Sequence, residues 1–358
     1  MRGGEKVLLE LLRLFPAADV ATLLHVRGSV APEIEARSIH TSFVQKLPLA
    51  ARLYRHYLPL LPLAASRVPT AGYDLVISSS HCVAKGVRPA PGALHVCYCH
   101  TPMRYVWDRF DDYFGRLSWP LRQAVGLAAE GLRAWDVASA GRVARFAANS
   151  AYVAARIARF YGREATVVPP PVDARFFTPG DGPPGDYDLL VTALVPYKRV
   201  ELALAAYRGS GRRLLVVGSG PDAERLRGLA PPEASFLGWV DDVRLRELYR
   251  GCRATLMVGV EDFGIVPLES MACGRPAIVF GEGGGPESVV DGVTGLVFHE
   301  PTPAALRVAV DGLASLGCNT ATLRARAESF DQDAFARRFR AFLEGALEAH
   351  SPALRPAW

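Results

Sequence analysis

No stretch of the chain reaches the roughly 18 consecutive apolar residues that a membrane-spanning helix needs, and no basic-then-apolar leader opens it. Any membrane contact is therefore expected to be peripheral, at the inner face of the plasma membrane, and the default compartment is the cytoplasm. Paired cysteine spacing is lacking too. Cys82, Cys97, Cys99, Cys252, Cys273 and Cys318 are scattered through apolar stretches, as buried thiols are in a reducing compartment. Internal repeats are absent, and so is the low-hydrophobicity composition of a disordered chain, since half of the residues are apolar and 22% are charged. The net charge of +5 is too diffuse for nucleic acid but suits an anionic small molecule or lipid surface.

What is present, over 358 residues, is enough for two domains of about 150 residues each, with a cleft between them. Short apolar runs alternate with helical stretches. Tyr73–Ser78, Leu94–Tyr98 and Arg145–Asn149 are strand candidates in the first half. Asp188–Leu194, Arg213–Val217, Ala254–Val258, Pro276–Phe280 and Gly295–Phe298 are strand candidates in the second. The pattern is that of parallel sheets with crossover helices, and the fold class is α/β with two Rossmann-like domains. Between them, Val168–Pro171 and the Gly/Pro-rich run Pro179–Gly185 mark a linker, too polar for a core. The domains are placed at 1–170 and 171–328. A last amphipathic helix within 329–350 carries Phe335, Phe339, Phe342 and Ala346, and the tail after Ser351 is expected to fray. Leu121, Val125, Ala128, Leu132 and Trp135 form a helical stripe expected to face the core. An aromatic segment from Arg104 to Arg122 is expected to be a buried cluster, with a membrane contact as the alternative.

The chemistry concentrates in Glu261-Asp-Phe-Gly-Ile-Val-Pro-Leu-Glu269, a strand end, a glycine turn and a helix starting near Ile265 or Val266. Free amides and the dipole at a helix start suit a diphosphate, and Pro267 fits the first turn because it has no donor to lose. Carboxylates suit sugar hydroxyls instead. The division this suggests gives the amides around Phe263, Gly264, Ile265 and Val266 to the diphosphate, Glu261 to the transferred sugar and Glu269 to the ribose. Gly218-x-Gly220 after a strand resembles a dinucleotide fingerprint, which fits NAD as well as a nucleotide sugar. Trp239 is placed near the base or in the core. Cys97-x-Cys99-His100 is not read as a metal site, because the cysteines share one strand face and the histidine points away.

Two glutamates with seven residues between them in a Phe-Gly loop resemble the hallmark of the family 4 retaining glycosyltransferases. Val195-Pro-Tyr-Lys-Arg199, Val217-Gly-Ser-Gly-Pro221, Phe236-Leu-Gly-Trp239, Gly283-Gly-Gly-Pro-Glu287 and Asp291-Gly-Val-Thr-Gly295 are similar to further family elements in family order. So are Tyr98-Cys-His-Thr-Pro-Met-Arg-Tyr105, Ala148-Asn-Ser150 and Val168-Pro-Pro-Pro-Val-Asp173. Within the family, the Cys-His-Thr-Pro-Met-Arg-Tyr and Val-Pro-Tyr-Lys-Arg strings resemble bacterial O-antigen and exopolysaccharide mannosyltransferases.

The resemblance implies the GT-B fold of two facing Rossmann-like domains, with the last helix crossing back to the first. It implies a nucleotide-diphosphate sugar donor, GDP-mannose foremost, a glycan or lipid-linked acceptor, and retention of anomeric configuration. It implies neither metal nor cofactor, so cations must neutralise the leaving diphosphate, with Lys198 first and Arg199 beside it. Many relatives carry an arginine where this chain has Ala193. By the same resemblance His100 contacts the transferred sugar, and Gly3 and Gly4 bring backbone close to the diphosphate or sugar. The strand expected before Gly3 is missing, so either the sequence starts late or another segment fills the sheet. The rival readings are an inactive binding subunit, an NAD-dependent oxidoreductase, and the phosphorylases and hydrolysing epimerases of the same fold.

Overall fold

Leu94–Cys99 is buried at every position, which a strand achieves only where both faces of its sheet are covered. The computed structural model describes residues 3–54, 56–115 and 117–350, and the tail after Ser351 lies outside them. The chain divides into two units, Met1–Pro170 with Phe335–Trp358, and Pro171–Ala334. The strands of the first are β1 (Val20–Thr22), β2 (Ile39–Thr41), β3 (Leu75–Ser80), β4 (Leu94–Cys99), β5 (Arg145–Ala148) and β6 (Ala165–Val167). Those of the second are β7 (Tyr187–Val191), β8 (Arg213–Val217), β9 (Ala234–Gly238), β10 (Thr255–Met257), β11 (Ala277–Phe280) and β12 (Gly295–Phe298). Every pairing between them is parallel. This is the parallel α/β architecture of two Rossmann-like units.

Among the described residues of the first unit β1 pairs only with β2, and β3-β4-β5-β6 form a separate sheet. The helix Gly3–Leu14 places Val7, Leu11 and Leu14 against Leu94, Val96 and Tyr98 of β4. The same core takes Phe335, Phe339, Phe342 and Ala346 from the helix Gln332–His350. The second unit has the order β12-β11-β10-β7-β8-β9, so successive strands run outward in one direction from β7 and in the other from β10.

Three expectations need correction. The Val168–Pro171 junction is not an exposed linker: Val168 is buried in the core of the first unit and Val172 in that of the second. The stripe on the helix Trp119–Ala140 is a core face only in part: Leu132 and Trp135 pack on a core cluster, whereas Leu121 is 50% exposed and Ala128 is exposed. The inward side is carried by Ala129, Asp136, Ser139 and Ala140. The aromatic segment is split: Tyr105, Trp107 and Phe110 pack on a core cluster, whereas Tyr113 and Trp119 are exposed.

Asp136 anchors a buried polar network. Its carboxylate pairs with Lys85, accepts the Trp107 indole N–H at 2.8 Å and accepts the Tyr161 hydroxyl at 2.8 Å. Lys85 also donates to the Ser139 hydroxyl at 2.6 Å, and its ammonium lies 4.8 Å from the centre of the Tyr161 ring.

His95 on β4 is also buried, with Nε2 at 2.9 Å from the Ser78 hydroxyl. Burial lowers its pKa from the ordinary value to about 4. A lowered histidine favours the folded state fully above the unfolded pKa of about 6.5 and loses that contribution as pH falls towards the folded value. Between about pH 7 and about pH 4.5 the wild type should therefore lose about 2–3 kcal/mol more unfolding free energy than His95→Gln. Urea titrations at both pH values read this directly, and parallel losses would refute it.

Candidate active site

In an open parallel sheet the crevice between strands that diverge in topology lies at their carboxyl ends. In the second unit those strands are β7 and β10, which are hydrogen-bonded neighbours. The loop after β7 carries the short turn Pro196–Lys198, and the loop after β10 carries Glu261. The ammonium of Lys198 and the carboxylate of Glu261, both half-buried, form an ion pair. Gly259 lets the loops approach this closely, because a Cβ there would lie 2.9 Å from Lys198 Cα.

A third loop fixes the glutamate. Gly283 bridges to Glu261, and the Gly284 amide donates to the Glu261 carbonyl at 2.8 Å. Gly283 has φ +91°, and a side chain there would strike the Glu261 carbonyl oxygen. The loop then turns at Gly264 (φ +86°) into the helix Val266–Ala272. Ile265 is its N-cap, no side chain caps it, and Pro267 occupies the first turn.

Glu269 sits in this helix in a different environment. It is 3% exposed, and its Oε2 accepts the hydroxyl of Tyr249, itself fully buried, at 2.7 Å. Burial, then the Glu269 charge, raises the Tyr249 pKa, so the phenol keeps the proton it donates. The Phe263 side chain, expected at the donor, is core: it is 3% exposed and its ring packs on Phe330 at 5.7 Å. An aromatic side chain of that size is drawn under the loop by burial, which leaves the backbone at Phe263 and Gly264 to meet a ligand. Ile265 and Val266 pack in part against the same core.

Arg199 follows Lys198 in the left-handed region (φ +52°). Its guanidinium carbon lies 5.1 Å from the centre of the Phe280 ring, and its Nη1 is buried without a hydrogen-bond partner. Gly218 and Gly220 serve loop packing: a Cβ at either would collide with the backbone of Thr192 or Leu194. The Gly218 amide donates to the Gly238 carbonyl at 2.8 Å, so it is already engaged. Trp239 is 75% exposed beyond β9 and is not a core tryptophan.

In the first unit His100 follows β4. Its Nε2 lies 2.9 Å from the Ser79 hydroxyl, and its ring meets Tyr98 edge-on at 5.0 Å. Its amide donates to the Ser80 carbonyl at 2.8 Å, and its carbonyl accepts from Asn149 at 3.0 Å. Gly4 is brought to the same place, since a Cβ there would lie 3.6 Å from His100 Nε2. Gly3 is the first residue of that helix and is exposed. Cys97 and Cys99 are buried in a core cluster. Among the described residues no group of three or more His, Cys, Asp or Glu could hold a metal ion, and no helix is long and apolar enough to cross a membrane.

Sequence reasoning missed Ser79 and Tyr249. The Ser78-Ser-Ser80 run at the end of β3, in register with β4, was a usable signal for the first. For Tyr249, twenty residues before Glu269, there was none.

Comparisons with known proteins agree in both halves. The family described as Glycosyltransferase Family 4 matches residues 1–176, and that described as Glycosyl transferases group 1 matches residues 185–330. A D-inositol 3-phosphate glycosyltransferase of Acidothermus cellulolyticus is 34% identical over half of this chain and 48% of its own length. A GDP-mannose-dependent alpha-(1-6)-phosphatidylinositol monomannoside mannosyltransferase of Mycolicibacterium smegmatis is 31% identical over 46% of this chain and 51% of its own. The chain thus spans about half the length of the curated relatives it matches. Among solved structures, a sucrose-phosphate synthase from Thermosynechococcus elongatus superimposes with a TM-score of 0.72 at 19% identity, over 97% of this chain and 92% of that one. An Anabaena protein solved with UDP and glucose gives 0.69 at 16%, over 96% of both chains. The fold is the GT-B fold of these glycosyltransferase structures.

Proposed function

The chain belongs to the family 4 glycosyltransferases, and on that premise we propose that it moves a sugar from a nucleoside-diphosphate donor held by its second unit to a glycan or lipid-linked acceptor. The observation that carries the reading is the Lys198–Glu261 pair at the divergence of β7 and β10. In the free protein these groups satisfy each other. A donor supplies better partners for both. Its diphosphate takes the ammonium together with the amides at the start of Val266–Ala272, and its sugar hydroxyls take the carboxylate. Arg199, with its buried Nη1 unpartnered, is a second cation for the same anion.

Glu269, held by Tyr249, receives the ribose. As the bond to the diphosphate breaks, Lys198 stabilises the charge that develops on the leaving oxygen, which is the role a metal ion would otherwise fill. The acceptor hydroxyl attacks from the face the diphosphate leaves, so configuration is retained. His100, oriented by Ser79, meets the transferred sugar. GDP-mannose is our choice of donor, supported by the two strings that resemble mannosyltransferases and by the mycobacterial relative named for that donor.

Calorimetry of the purified chain with GDP, UDP, ADP and NAD in EDTA tests this. Tight GDP binding without metal is the expected result, followed by transfer from GDP-mannose. UDP binding in its place would move the donor to a UDP-sugar, and binding of NAD alone or of no nucleotide would sink the proposal.

A further inference from the structure

The surface of the first unit includes a region that exposes apolar and cationic residues and no acidic one. No Asp or Glu occurs between Glu35 and Asp74, while Arg37, Lys46, Arg52, Arg55 and Arg67 fall in that interval. Most of it folds as a run of short helical pieces, Phe43–Lys46, Ala50–Leu53, Leu58–Leu60 and Leu61–Ser66. Their inner side is anchored by Val44, Leu61, Ala64 and Ala65 on a cluster that includes Met103, Val106 and Ala129. Their outer side shows Leu49 at 63% exposure, Leu63 at 44%, Leu60 at 39% and Tyr54 at 37%. Lys46, Arg52 and Arg67 are exposed among them, and no ion pair with a described residue engages any of the three.

Leu49 adds an independent sign. It has φ +50°, one of two described non-glycine residues in the left-handed region, and it starts the helix Ala50–Leu53 from there. A leucine is strained in that conformation, and burial does not offset the strain, because the side chain stands in solvent. The helix Trp119–Ala140 also exposes apolar residues, Trp119 and Leu127. There, however, Asp111 and Asp112 pair with Arg122 and Arg109 and Glu130 is exposed beside them, so that surface does not present cations without acids to an anionic surface. The charge pattern separates the two surfaces.

We infer that the 43–67 segment is a docking surface for an anionic lipid bilayer, with Leu49, Tyr54, Leu60 and Leu63 entering the interface and Lys46, Arg52 and Arg67 meeting the headgroups. Apolar insertion combined with cationic attraction is how peripheral segments reach useful affinity when neither suffices alone. The inference stands on the first unit alone and does not rest on the transferase reading. It goes beyond that reading by assigning the bilayer itself as a partner.

The test is co-sedimentation of the full chain with vesicles of phosphatidylcholine alone, and with vesicles in which about a third of the lipid is phosphatidylglycerol. Pelleting with the anionic vesicles only, weakened by salt, is expected. Lys46→Gln with Arg52→Gln should lower the partition coefficient about 30-fold, from a factor of about five per cation. Leu49→Gln with Leu63→Gln should abolish pelleting, and unchanged thermal unfolding and nucleotide binding show that both double variants are folded. Equal partitioning to the two vesicle types, or unchanged partitioning in both variants, would overturn the inference. So would self-association that the leucine variant abolishes without any vesicle binding, which would make a second copy the occupant. A chain that pelleted but bound no nucleotide would sink the transferase reading and leave this surface standing.

Discussion

Replacing Lys198 by alanine should lower the transfer rate at saturating donor about 100- to 1,000-fold, the usual loss when one preorganised group facing a developing oxyanion is removed. Lys198 and Glu261 are both half-buried, so each shapes the other's field with little help from water. Without the ammonium, the departing diphosphate would lean on Arg199 and backbone amides alone. Glu261→Gln keeps the shape of the carboxylate and removes its charge, and it should lower transfer as well. Because the two side chains act on one transition state and hold each other beforehand, the double variant should lose far less than the product of the single losses. Steady-state transfer rates of the four proteins, with circular dichroism as the folding control, check this. Wild-type rates in both single variants would remove the pair from the mechanism.

Asp136→Ala should destabilise the first unit by about 3–5 kcal/mol, the range for stripping one member from a buried ion pair. Lys85 is 1% exposed and would be left with a charge that water cannot reach, and the Trp107 indole and Tyr161 hydroxyl would lose their acceptor. Adding Lys85→Met should recover part of the loss, because an apolar side chain needs no partner in that site. Urea unfolding followed by tryptophan fluorescence distinguishes these variants. A transition within about 1 kcal/mol of wild type in Asp136→Ala would show that the network is not what holds these elements together.

The parts of the molecule that could be read in sequence are those where chemistry and backbone geometry demand particular residues in order. The turn into Val266–Ala272 needs a glycine at 264 and tolerates a proline at 267, and the two glutamates flank it at fixed spacing. Periodicity failed where it had nothing to discriminate. On Trp119–Ala140 the residues Leu121, Ala124, Leu127, Ala128 and Ala134 are all exposed, so the apolar stripe marked the inward side only at Leu132 and Trp135. Three-residue strands such as β1, β2 and β6 are too short to show alternation. Prolines at 169–171 suggested an exposed connector, yet the flanking valines are buried in the two cores. Ser79 and Tyr249 act through side chains that only the fold brings to His100 and Glu269.

The helix Gln332–His350 has a consequence for how the protein is made. Phe335, Phe339, Phe342, Leu343, Ala346 and Leu347 complete the core of the first unit, beside Val7, Leu11, Leu94 and Tyr98. On the ribosome these residues emerge after every residue of the second unit, whereas domains ordinarily fold in the order of their synthesis. The unit translated first must therefore wait with the Leu94–Cys99 strand uncovered on one side, while the unit translated later already has all of its chain. Folding of the nascent protein finishes in the unit whose first strands were made before the other unit began.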